Sequence, residues 1–173
     1  MQETAADLSD LQALIDRSMG GIRSHQMRDI FAAERALSAR QICAYLQGVK
    51  HVACATVTAG GEPRVRPLDG LFYRGRFHVG TAGSALTIRH LRRRPAISLT
   101  HFAGDDVGVI VHGVATIMSS RHEDVGPIHQ LATAVYESDP FGWGDDVVFV
   151  RVEPSAMYTY AKHPERFAEE AAR

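Results

Sequence analysis

The first third of the chain is patterned for helices and the remainder mostly for strands. Residues 5 to 19 place Leu8, Leu11, Leu14 and Ile15 on one face at helical spacing, and "MGG" ends the run. A second apolar-periodic piece, about 24 to 35, carries Met27, Ile30 and Phe31. Ser38 is suited to cap a third helix over 39–47, closed by Gly48. From there the period falls to two. "HVACATVTAGGEPRVRPLDGLFY" reads as strand, tight turn, strand, with Gly60-Gly61 between two β-rich runs. "RGRFHVGT" is a third strand after another glycine turn. A helix over roughly 84–93 interrupts the sheet before "AISLTHF" and "VGVIVHGVATIM", two strands joined by the turn residues "AGDD". Residues 121 to 138 read as helical, with Pro127 predicting a start there or a kink. "DPFGWGDD" is a loop, and "VVFVRVEPSAMYTY" is a last strand interrupted by its proline.

Helices followed by about six hairpin-linked strands, with two helices inserted, predict an α+β fold with an antiparallel sheet closed into a small barrel. Residues 1–37 form an N-terminal helical extension and 38–173 the barrel, within a single domain.

Composition narrows the chemistry. With 173 residues and 45% hydrophobic content, the chain can bury a core without metal or disulfide staples. A net charge of −1 gives no overall electrostatic case for nucleic acid or an anionic membrane. Cys43 and Cys54 lack zinc-ligand spacing and read as apolar fillers in a reducing compartment. The acidic, polar N-terminus is not a signal peptide, and "VGVIVHGVATIM" is too short to span a bilayer as a helix. A cytoplasmic protein is expected.

No GxSxG, HExxH or Walker-type motif is present. The nine histidines are scattered, although His101 and His112 lie on neighbouring predicted strands where they could face each other. Two segments remain. In "EPRVRPL", strand alternation puts Arg64, Arg66 and Leu68 on one face. Two adjacent arginines there repel unless an anion lies between them, or unless this is a solvent-facing edge strand, which Pro67 also allows. In "TAGSALTIRHLRRRP", Thr81, Ser84 and the first-turn amides sit at a helix start, a ready anion site. Ile88 and Leu91 face the sheet; Arg89 and Arg93 face away. The arginines lack interleaved aromatic residues, which argues against nucleic acid.

Taken in order, "GEPRVRP", "HVGT" and "HLRRRPAISL" resemble the pyridoxamine 5′-phosphate oxidase-like split-barrel family of flavin- and deazaflavin-binding proteins, over roughly residues 38 to 154. The resemblance implies an antiparallel split β-barrel. It also implies a homodimer with cofactor sites at its interface and a small-molecule substrate. The implied cofactor is FMN, with F420 or, more remotely, haem as alternatives. Arg66, Pro67 and Leu68 would meet the flavin ring. Val79, Gly80, Thr81 and Ser84 would lead to its phosphate, with Arg64, Arg66 and Arg89 as candidate charges. Where the family has a phosphate-binding lysine, this chain has Thr87. A hydroxyl donates a hydrogen bond but carries no charge. Trp143, in the loop, is placed to cover a ligand. The implied activity is hydride or electron transfer, in which the cofactor supplies the chemistry. The alternative is a non-catalytic flavin- or haem-binding protein.

Overall fold

The computed structural model describes residues 2–167. The first helix, α1 (Ala5–Gly20), starts where Thr4 and Asp7 form a reciprocal capping box. It buries Leu11, Leu14, Ile15 and Ser18. The expected second helix is short: α2 (His25–Ile30) gives way to extended Ala32 and a 3₁₀ turn, Ala33–Arg35. Met27 and Ile30 stay exposed, so the periodicity there does not mark a buried face. Only Phe31 docks, edge-on to Tyr158 and Tyr160. Ser38 caps α3 (Ala39–Tyr45), with Gln41 completing a second capping box.

Six strands follow: β1 (Val49–Val57), β2 (Pro63–Tyr73), β3 (Arg76–Ala82), β4 (Ala96–Ala103), β5 (Val107–Met118) and β6 (Val147–Ala161). They close an antiparallel barrel in the order β1-β2-β3-β6-β5-β4, sealed by β1 against β4. This is the α+β architecture that the sequence predicts. Alternate residues such as Val52, Cys54, Phe77, Val79, Leu99 and Val150 fill the interior. Burial pushes the Cys43 thiol up to about 12 and the Cys54 thiol to about 11, where neither is a nucleophile.

Two helices lie between strands. α4 (Leu86–Arg93) packs Ile88 and Leu91 inward, and Thr56 on β1 meets His90 of α4 at 3.0 Å. α5 (Val125–Tyr136) starts two residues before Pro127, which falls in the first turn, where a residue has no intrahelical partner for an N–H anyway. It covers the outside of the barrel with Val125, Ile128 and Ala132 over Leu71 of β2, Met118 of β5 and Phe149 of β6. β6 continues through Pro154 because the ladder shifts register there, between His112 and Gly113 of β5.

The barrel has one gap that matters for function. β2 pairs with β1 along nearly all its length but with β3 only from Gly70 to Tyr73. Beyond Gly70 and Val79 the two strands part. The edge of β2 over 63–69 is unpaired on the β3 side, while β3 continues along β6. No helix among the described residues is long and apolar enough to cross a membrane.

Candidate functional site

A cavity of about 560 Å³ opens where β2 and β3 diverge. One wall is Pro67, Leu68 and Asp69 on β2, with His51 beside them on β1. The opposite wall is Gly80, Thr81 and Ala82 on β3. Leu71, Phe149 and His78 lie on the floor. The far side is Tyr136 at the end of α5 and the segment carrying Pro140, Trp143 and Asp146. The strand separation creates the space, and the helix-and-loop insertion before β6 roofs it.

That segment is held in place by polar contacts. The Asp139 carboxylate accepts from the Phe141 N–H at 2.9 Å and meets His129 Nε2 at 2.7 Å. The His129 contact holds the Asp139 carboxyl below the usual carboxylate range. Trp143 donates its indole N–H to Ser138 Oγ at 3.1 Å and stacks edge-on against Tyr136, with centroids 4.9 Å apart. Burial, with the Asp69 carboxylate adding to it, raises the Tyr136 phenol above its ordinary range. Tyr136 is therefore a neutral wall.

Two histidines border the cavity in different surroundings. His51 Nδ1 meets Asp69 Oδ1 at 2.9 Å across the β1–β2 ladder. The carboxylate oxygen accepts, so Nδ1 is the donor of this contact, and the ring itself is exposed. His78 is buried, and its Nδ1 has no hydrogen-bond partner. Burial, reinforced by the neighbouring Arg151, pushes its pKa down to about 4, so it is neutral at physiological pH.

The sequence-derived residues divide into groups. Pro67, Leu68, Gly80, Thr81 and Trp143 line the cavity. Val79 is buried inside the barrel, so only its main chain faces this region. Arg64 and Arg66 do not converge on a common anion. Arg64 turns to Glu62 at 2.6 Å, and Arg66 donates to Thr87 Oγ1 at 3.3 Å. Thr87 is buried, so a strand arginine brings positive charge to the position where the resemblance expects a lysine. Arg89 is exposed. The fourth helix starts at Leu86 rather than Ser84, and Ala85 is its cap. The Ser84 N–H instead donates to Asp146 Oδ2 at 2.7 Å, and the Gly83 N–H to the Asp146 carbonyl at 2.6 Å. A Cβ on Gly83 would lie 2.9 Å from that carbonyl, so glycine permits the close approach.

His101 and His112 do not face each other. His101 is buried between Tyr45 Oη and the His51 carbonyl, each at 2.9 Å, and pairs in the ladder with Val109. His112 is exposed, opposite Ser98, whose hydroxyl it meets at 2.7 Å. Among the described residues no group of three or more His, Cys, Asp or Glu side chains is placed to hold a metal ion.

Sequence reasoning did not single out His51, Asp69, His78, Tyr136 or Asp146. Asp69 and His78 lie beside motif residues, and strand alternation puts His78 on the face opposite Phe77 and Val79. Tyr136 ends a helix that the sequence does show, and Asp146 follows in the loop before β6, but nothing in either segment signals that the two meet at the cavity.

The cavity fits the planar part of a flavin-type group. Its surfaces are apolar and aromatic, and the free edge of β2 presents alternating N–H and C=O groups to a heterocycle. It fits the phosphate end less well, because Asp146 already holds the Ser84 amide.

No family model and no curated protein matches the chain. Solved structures do. A conserved hypothetical protein from Mycobacterium tuberculosis has a TM-score of 0.65 at 20% identity, over 78% of this chain and 91% of the other. A FAD-binding protein from Mesorhizobium loti has a TM-score of 0.58 at 19% identity, over 72% and 93%. A haem storage protein from Vibrio cholerae has a TM-score of 0.57 at 17% identity, over 80% and 96%. At these identities the shared property is the fold. The chain has the split barrel found in pyridoxamine 5′-phosphate oxidase-like and flavin-binding proteins, as its ordered motifs imply.

Proposed function

We propose that the chain binds a flavin-type cofactor, with the ring in the cleft between β2 and β3, and acts as a cytoplasmic oxidoreductase on a small molecule. FMN is the first choice and F420 the alternative, with two cofactor sites in a homodimer. The observation that carries this reading is the unpaired β2 edge over an aromatic-lined cavity of about 560 Å³. A bound flavin would supply hydride or electron transfer. The chain's own residues would do the rest. Pro67, Leu68 and Asp69 offer main-chain groups to the ring edge. Trp143 and Tyr136 exclude water from one side. His78, neutral and lacking a partner at Nδ1, offers a hydrogen bond from the floor. Arg66 is the basic group next to the strand edge that can meet an anionic tail.

The test is reconstitution of the purified protein with riboflavin, FMN and F420 in turn. Binding is followed by absorbance, by quenching of Trp143, the single tryptophan, and by thermal melting. A ligand present at about 100 times its Kd stabilises the native state by about 2.7 kcal/mol, a clear rise in Tm. Arg66→Ala is expected to weaken FMN about tenfold and riboflavin little, since it removes a charge contact. If none of the three ligands shifts fluorescence or melting, the reading is wrong.

A further inference from the structure

The feature that the flavin reading leaves unexplained is the carboxylate at the entry to α4. A phosphate-binding turn needs amide groups free to donate. Here the Ser84 N–H donates at 2.7 Å to Asp146 Oδ2, and the Gly83 N–H donates to the Asp146 main chain. The residue just before β6 therefore occupies the place where an anion would otherwise be held. The remainder of the cleft points the same way. Its two charged side chains are Asp69 and Asp146, and neither lysine nor arginine is among its described lining residues. Arg64 of β2 does not offset this, because it is paired with Glu62. An independent sign that the cleft takes a polar but uncharged group is His78, whose buried Nδ1 lacks a partner on the floor.

We propose that Asp146 is a specificity residue of this cleft. Its carboxylate fills the amide seat at the start of α4, so a phosphate is disfavoured at that seat and an anionic tail such as that of FMN is left to Arg66. The proposal rests on the flavin reading for the ring and adds to it the charge that the cleft selects. A phosphate brought to Ser84 must displace Asp146 from its amide or lie beside a like-charged carboxylate, and both outcomes oppose binding.

The experiment titrates riboflavin and FMN, which share a ring and differ by the phosphate, into the full-length protein. Trp143 quenching and flavin fluorescence give Kd for each. Asp146→Asn keeps a hydrogen-bond acceptor and removes the charge. It is expected to tighten FMN about tenfold while riboflavin changes less than about threefold, so that the ratio of the two constants moves. Asp146→Ser serves the same purpose if the first variant does not fold. Asp145→Asn, one residue away, controls for general surface charge and is expected to leave the ratio unchanged. If the ring binds and the ratio is unmoved by both Asp146 variants, or moves equally with Asp145→Asn, the assignment of Asp146 is overturned while the flavin reading stands. If neither ligand binds any of the proteins, the flavin reading itself falls, and this proposal with it.

Discussion

At position 78 an imidazole sits under α5 with one ring nitrogen lacking a partner, and this makes stability depend on pH. Its pKa falls from 6.5 to about 4, chiefly through burial. The folded form therefore holds the proton more weakly than the unfolded chain. The stability that His78 contributes is fully present above about pH 6.5 and is lost as pH falls toward about 4, up to ~3 kcal/mol in all. Urea unfolding at about pH 7.5 and about pH 4.5 is expected to show a drop about 2–3 kcal/mol larger for the wild type than for His78→Gln, in which this titration is absent. Equal drops would mean that the ring is not held neutral. The comparison cancels the other titrating groups nearby, including Glu153, which Arg76 and Arg151 stabilise as an anion against the opposing effect of burial. The residue scale is also where the sequence was least legible. Strand alternation places His78 outside the barrel, but what buries it is a helix some fifty positions later in the chain. The roles of Arg66 and Thr87 emerge only when their 3.3 Å contact is seen, because neither residue reveals its partner alone.

Elements were more legible than residues, and the differences have local causes. Ser38 and its capping box set the start of α3 where the sequence placed it, since capping is decided within four residues. The start of α4 moved from Ser84 to Leu86 because the Ser84 amide is engaged by Asp146, a long-range contact that helix periodicity cannot register. The stretch 24–35 matched a helical period, yet only Phe31 among its three apolar residues found a surface to pack on. The proline in the last strand read as an interruption, and the barrel absorbs it as a shift in register opposite Gly113. That shift brings two backbones unusually close. A Cβ on Gly113 would lie 2.9 Å from the Glu153 carbonyl carbon and 3.1 Å from Pro154 Cα, and neither can move without breaking the β5–β6 ladder. Gly113→Ala is therefore expected to lower stability by about 2 kcal/mol or more. Gly108→Ala is the matched control on the same strand, where the new methyl group meets nothing within 4 Å and the change should stay within about 1 kcal/mol. Urea midpoints of the two variants decide the point, and similar losses for both would mean that the bulge is not tightly packed.

For the molecule as a whole, the sequence suggests a boundary at residue 37, with helices before it and a barrel after it. The packing shows how closely the two parts are joined. Leu11, Leu14 and Ile15 of α1, with Leu37 of the connecting segment, share one buried cluster with Phe77, Val150, Val152 and Met157 of the barrel. Polar contacts reinforce this. Past Arg151, β6 no longer has β3 beside it. The Met157 N–H, which would otherwise be stranded in the interior, donates to Ser18 Oγ of α1 at 2.9 Å. Thr159 Oγ1 accepts from the Leu37 N–H at 2.9 Å, and Gln12 accepts from the Ala39 N–H at 2.8 Å. The first helix thus covers a strand edge and plugs one side of the barrel. Burying its three apolar side chains and Leu37 is worth about 6–12 kcal/mol at roughly 1.5–3 kcal/mol each, as much as the whole net stability of an ordinary domain. A fragment spanning residues 38–173 is accordingly expected to show no cooperative urea transition by far-UV circular dichroism, and adding the peptide 1–37 should restore one if the two pieces dock as they do in the intact chain. A fragment that unfolds cooperatively by itself, at a midpoint near that of the full chain, would show that the helices are an appendage and that the barrel closes its core without them.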